Sequence, residues 1–350
     1  MRQAIGGTSM KTLIKLVLFV FFLSACGPLV PVTSEVSSTP ATNEYQDFAY
    51  DIVWSQDDSM VALTTETGLY VYDTKTYKQL FAFDQNGSTV VFGEKYMAFI
   101  NWQGLFVYDL NGFKLLFSEK SHQSNDGRMF QNLAISPDDK TLVAGEQDQM
   151  RAWSLPDGKV ISTISDDRQV FWHDVVFKNN TRIVIANSYF GNVQEWDVLS
   201  RELIHEFSFD KPVVYTRLSR DGKLVLVDYG LTGFQLWDVN TGKLKQNYGD
   251  IVSASGWQRL SGDNHYVVVW GYAFDGQNSG MSVWDLDIHL HTQEFTTPFV
   301  NGDGWRCSAL NSDGSTLAAG NNEGYVYFYN VKTGEKTGEI FLPYKMVAGK

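Results

Sequence analysis

From residue 48 onward, short β-prone apolar runs alternate with clusters of Asp, Asn, Ser and Gly. No stretch after residue 44 keeps a helical period. Short strands at regular spacing, separated by turn signals, indicate all-β structure. One feature recurs through the whole region: an aromatic residue followed by a small polar one closes a β-prone run. The pairs are Tyr72-Asp73, Tyr108-Asp109, Trp153-Ser154, Trp196-Asp197, Trp237-Asp238, Trp284-Asp285 and Tyr329-Asn330. Successive pairs stand 36 to 47 residues apart, which makes seven units of about 43 residues each.

Each unit has the same internal order. An inner strand ends in a polar turn such as Ser55-Gln56-Asp57-Asp58, Ser136-Pro137-Asp138-Asp139 or Ser219-Arg220-Asp221-Gly222. Asp, Asn and Gly there supply the local hydrogen bonds and positive φ of a tight hairpin. A second apolar strand follows, then a third that carries the aromatic. Another turn, such as Asn240-Thr241-Gly242-Lys243, leads to a fourth strand. The repeat length fits four-stranded propeller blades. A single blade cannot bury both of its faces, so the seven are expected to pack around one axis as a seven-bladed β-propeller. The aromatic of each third strand is expected to lie between neighbouring blades. Ring closure often needs a strand from outside the last blade, and residues 45–49 leave that point open.

The repeated aromatic–polar pair resembles the WD-repeat family of seven-bladed propellers. Three units carry Trp-Asp as written. The Gly-His pair of that family is missing from every unit, so its His-based polar tetrad is not carried over. The resemblance covers residues 48–342 and implies a scaffold that recognises partners through the loops of one face.

The N-terminal region has a different pattern. Lys11 and Lys15 precede the apolar run Leu16–Leu23, which ends in Leu23-Ser24-Ala25-Cys26. A basic flank, a short apolar core and small residues make a secretory signal. Met10 offers an alternative start to Met1. The ending resembles the lipobox of bacterial lipoproteins. That resemblance implies cleavage before Cys26, a lipid on Cys26, and anchorage at the outer face of the cell membrane or at an outer membrane. The expected division is a signal peptide over 1–25, a lipidated Cys and Ser/Thr/Pro tether over 26–44, the propeller over 45–344 and a tail over 345–350. Cys307 is expected to be a buried small hydrophobe.

The charge balance bears on the partner. The chain holds 28 Lys+Arg against 40 Asp+Glu, a net charge of −12. Residues 1–25 contain basic residues and no acid, so the rest is more acidic still. Such a surface repels phosphate backbones, and nucleic acid is not an expected partner. No nucleophile elbow, phosphate-binding loop or dinucleotide fingerprint occurs. His289-Leu290-His291 has metal-like spacing but falls in a turn. No cofactor or metal is expected.

The loops on the face shared by the second-to-third turns and the blade-to-blade connections hold Trp102, Phe130, Phe171, Trp172, Tyr189, Phe190, Tyr229, Tyr272, Phe274 and Trp305. Charged neighbours include Arg128, Asp228 and Arg306. Aromatics and arginine dominate binding hot spots. These residues are therefore the candidate contacts for an extracytoplasmic protein or peptide, or for an envelope glycan. The rival expectation is a hydrolase or lyase using acids and His173 around the channel, with Asp228, His173 and Asp275 converging on one point.

Overall fold

The computed structural model describes residues 44–346 apart from 88, 121–129, 131, 147–148, 166–173, 231–232, 250–257, 273–277, 299–303 and 343. The signal, Cys26 and the tether lie outside the described residues.

Seven antiparallel sheets of four strands run over residues 49–83, 89–120, 133–165, 174–208, 215–248, 259–298 and 305–341. Within each sheet the strands follow in chain order. In blade one, for example, Ala49–Trp54 pairs Met60–Thr65, which pairs Leu69–Asp73, which pairs Gln79–Phe83. The seven-bladed propeller expected from the repeat is the fold observed.

Buried apolar side chains gather into seven clusters, one at each junction between neighbouring blades. Each cluster holds one of the seven repeated aromatics. Tyr72 lies between blades seven and one, Tyr108 between one and two, and Trp153 between two and three. Trp196, Trp237, Trp284 and Tyr329 continue the series around the ring. Burial of these side chains removes apolar area from water and supplies most of the driving force for closure.

The pairing of third with fourth strands shifts register just before every one of these aromatics, from Val71/Tyr72 to Phe328/Tyr329. Such a bulge places one extra residue opposite the aromatic and increases local twist. In the last two blades a threonine hydroxyl closes the gap: Thr292 Oγ1 donates to the Val283 carbonyl at 2.7 Å, and Thr337 Oγ1 to that of Phe328 at 3.2 Å. The polar residue after the aromatic then builds the following turn. Asp73 Oδ1 accepts from the Thr76 N–H at 2.7 Å, Asp238 from Thr241 at 2.8 Å, and Asn330 from Thr333 at 2.9 Å. Where the aromatic is Trp, the residue two positions earlier accepts the indole N–H in three blades: Gln194, Gln235 and Ser282.

Closure between blades seven and one uses residues from both ends of the described chain. Glu44–Gln46 does not extend blade seven; it pairs with Tyr344–Met346 in a separate two-stranded ladder. Part of the tail expected over 345–350 is thus paired strand. Gln46 Nε2 donates to the Leu342 carbonyl at 2.7 Å. Buried Asp47 accepts from Thr65 Oγ1 at 2.7 Å and also from the Thr67 hydroxyl, tying the segment to blade one. Across the seam, Trp54 Nε1 donates to the Ala309 carbonyl at 3.1 Å. The Cys307 thiol, buried as expected, donates to that of Ala49 at 3.2 Å.

Candidate functional site

On the loop face, the last residue of the second strand is a buried polar side chain in six of the seven blades, and in five of them it accepts from a backbone N–H of the following turn. Asn101 Oδ1 accepts from the Gln103 and Gly104 N–H groups at 2.8 and 3.2 Å. Asn187 Oδ1 accepts from Phe190 at 3.0 Å, and Asn321 from Tyr325 at 2.9 Å. With its backbone pinned this way, the turn tip projects outward. Trp102 is 55% exposed, Tyr189 83% and Phe190 46%. Tyr189 and Phe190 meet edge to face with ring centroids 5.0 Å apart. Exposed Val214 follows on the connection from blade four to blade five. A second exposed group stands at the seam. Arg306 lies over the Phe48 ring at 5.1 Å and bonds to Asn322, while Phe48 meets Tyr50 edge to face at 5.0 Å. Both arrangements present rings already ordered by neighbours.

The candidate residues therefore separate. Trp102, Tyr189, Phe190 and Arg306 are on the surface. Trp305 is not: it is buried in the junction between blades six and seven, edge-on to Tyr327 and Tyr329. Phe130 is likewise buried, against Trp153 at 5.8 Å. Asp228 is fully buried. It occupies the turn-building position held by Asn101 and Asn187, accepting from the Gly230 N–H at 2.6 Å and from Gln258 Nε2 at 3.0 Å. Tyr229 is half-buried against the blade four–five cluster, and burial, with Asp210 nearby, raises its hydroxyl pKa. Tyr272 ends a second strand, Tyr266–Tyr272, and its side chain lies outside the description. Arg128, Phe171, Trp172 and Phe274, with His173 and Asp275 of the rival reading, lie outside the described residues. Among the described residues, no group of three or more His, Cys, Asp and Glu side chains comes together to hold a metal. His289 instead meets the Tyr248 hydroxyl at 3.3 Å, and His291 packs on Trp284 at 5.3 Å.

Aromatic residues alone do not mark the exposed positions; the place of the polar turn residue does. Tyr50, 43% exposed, and Val214 were missed. The signal for Tyr189 and Phe190 was present: they follow Asn187, the turn builder, at the tip of a second-to-third turn.

A charged network lines the axis as well. Arg259 pairs with Asp51 at 2.6 Å, and Arg217 stands 3.6 Å from Asp174. The Arg217 guanidinium also donates to the Tyr215 hydroxyl and sits over its ring at 5.3 Å. Burial works against the Arg217 charge, but Asp174, Tyr215 and Asp51 more than offset it, and its pKa is raised. Burial also raises the Tyr215 hydroxyl above its ordinary value, so it stays protonated near neutrality. Sequence reading named acids at the channel but not these arginines. Their signal is a charge at an inner-strand position where other blades carry Val or Ala.

No family model matches the chain. It is 23% identical over 204 residues to Autophagy-related protein 16 of Arabidopsis thaliana, covering 58% of this chain and 39% of that protein. It is 22% identical over 208 residues to Apoptotic protease-activating factor 1 of Rattus norvegicus, covering 57% of this chain and 15% of that one. The chain thus spans well under two thirds of the length of the curated relatives it matches.

Proposed function

We propose that this protein is a non-enzymatic binding module, a lipid-tethered propeller that presents its loop face to an extracytoplasmic protein or peptide. The observation that carries the reading is the Tyr189–Phe190 pair: two exposed rings on a turn held by a buried asparagine. Ordered aromatics lose little conformational entropy on binding, so more of their contact energy becomes affinity. The distant relatives support a protein partner. One is named for activating a protease, which is another protein, and neither name is that of an enzyme. The tether and the address rest on Lys11, Lys15, the apolar run Leu16–Leu23 and the Leu-Ser-Ala-Cys ending.

Two experiments test the two halves. In cells, Cys26→Ser releases the protein from the membrane fraction; retention of the variant there overturns the anchor. In cross-linking on intact cells, the variant Trp102→Ala/Tyr189→Ala/Phe190→Ala loses a protein adduct that the wild type forms, with an unchanged thermal transition. An identical adduct pattern overturns the choice of face.

A further inference from the structure

Inner-strand residues alternate between the junctions with the two neighbouring blades, as Val53 and Trp54 do, and the inner strands also border the centre of the ring. Two positions before the first turn, blades one to four place Val53, Val91, Ala134 and Val176, while blades five and six place Arg217 and Arg259. These side chains line a cavity of about 770 Å³ on the axis. At this level blades one to four are apolar and blades five and six cationic, while Asp51 and Asp174 of blades one and four line the cavity beside the arginines. That volume falls inside the range of ligand sites, roughly 300–1,000 Å³.

The charged side chains lining the cavity are Arg217, Arg220, Arg259, Asp51 and Asp174, one more cation than anion, in a chain whose net charge is −12. Arg259 is engaged by Asp51 at 2.6 Å. Arg217 is not engaged to the same degree. Its partner Asp174 spends Oδ2 on the Leu218 N–H at 2.6 Å, which leaves Oδ1 3.6 Å from the guanidinium, outside hydrogen-bond distance. The buried Arg217 Nε has no acceptor among the described residues. An arginine carries five donors; an Nη2 hydrogen of Arg217 meets the Tyr215 hydroxyl, but leaving Nε unmet in a desolvated place is costly. A carboxylate matches the missing acceptors, because its two oxygens fit the guanidinium fork.

We propose that the axial cavity is a second binding site, for a carboxylate carried on an apolar body. Arg217 takes the carboxylate with Arg259 beside it, and the side chains of blades one to four pack the body. The mouth on the first-turn face carries exposed Gln56, Pro137 and Arg220, and Arg220 favours entry of an anion. This mouth is at the opposite end from Tyr189 and Phe190, while the lining also reaches Tyr50 and Ser188 near the loop face. The carboxylate has two possible sources, a free organic acid or the C-terminus of a peptide.

The test is calorimetric titration of the full-length protein with 4-phenylbutyrate and with an N-acetylated tetrapeptide ending in leucine, each against its amide. Saturable binding of either acid, at least tenfold tighter than its amide, supports the proposal, and the acid that binds identifies the source. Arg217→Gln and Arg259→Gln then each weaken that acid at least tenfold, with Arg217→Lys intermediate because it keeps the charge and loses the fork. The wild type provides a check independent of variant folding: with arginine labelled at Nε, the Arg217 Nε–H resonance moves on saturation. Absence of binding by both acids, equal binding of acid and amide, or a still Arg217 resonance overturns the proposal.

Discussion

The two faces of the propeller are both built from turns between strands but obey different rules. On the first-turn face, five blades repeat one device. Ser55, Ser136, Ser219, Ser261 and Asn311 each accept from the backbone N–H five residues on, at 2.9 to 3.0 Å. The four serines also donate to the aspartate two residues on. The fourth residue of the turn then has positive φ, at Asp58, Asp139, Gly222, Asn264 and Gly314, and meets the blade before it. Asp58 accepts from the Ser312 N–H at 3.0 Å, Asp139 from Lys95 at 2.7 Å, and Asn264 donates to Asp221 at 3.2 Å. At Gly222 a Cβ would sit 3.3 Å from the Lys178 Cα, so the contact there is backbone packing. On the loop face only the buried turn builder repeats, and the tips differ from blade to blade. Contact with a neighbouring blade holds one face to a pattern; the other has solvent or a partner opposite it and is free to vary.

The largest effect that tests this contrast lies between the faces. Trp153 is fully buried between blades two and three. Trp153→Ala is expected to cost about 3–5 kcal/mol in urea unfolding, through lost burial and the cavity left behind. Trp102→Ala, at an exposed tip, is expected to stay within about 0.5 kcal/mol of the wild type. Similar losses for both would mean that the loop face is part of the stabilising frame.

That pair of tryptophans also shows what the sequence makes legible. The repeated aromatic is visible because every blade must fill the same junction, so spacing alone locates Trp153 and predicts its burial. Trp305 departs from the loop-face expectation because it is the first residue of an inner strand, where a ring turns into the junction as readily as outward; Tyr327 and Tyr329 take it. Asp228 reads as a surface acid beside Tyr229 until Asn101 and Asn187 are aligned with it as turn builders. The Arg217–Asp174 pair joins residues 43 apart on blades four and five, and no local pattern announces a contact made only when the two blades pack.

A smaller effect tests whether the positive-φ residue is a link between blades. Asp58→Ala removes its hydrogen bonds to Ser312 and Asn311 and places a Cβ-bearing residue without polar compensation at φ 59°. The expected loss is about 2 kcal/mol in the same unfolding measurement. Asp58→Gly restores the backbone freedom and loses only the bonds, so its cost falls to about 1 kcal/mol. Equal costs for the two variants would assign the whole effect to the bonds and none to the backbone.

The smallest effect is a pH dependence of the first-turn face. Burial alone would raise the Asp57, Asp138 and Asp221 carboxyls. Hydrogen bonds outweigh it: from Ser59 and Ser55 to Asp57, from Ser136 and the Lys140 backbone to Asp138, and from Ser219 and the Lys223 backbone to Asp221. All three pKa values therefore lie below the ordinary carboxylate value. A carboxyl whose folded pKa is depressed binds its proton more readily when the chain is unfolded, so it stabilises the fold above the unfolded value of about 3.9. That stability drains away as pH falls through the lower, folded pKa. In the variant Ser55→Ala/Ser136→Ala/Ser219→Ala these carboxyls lose a donor that holds them down. The variant is less stable at pH 6, and its transition temperature falls less steeply than that of the wild type between pH 5 and pH 2.5. Parallel curves for the two proteins would mean that the serines shape the turn through the backbone alone, and that the repeated Ser-x-Asp is a matter of geometry rather than charge.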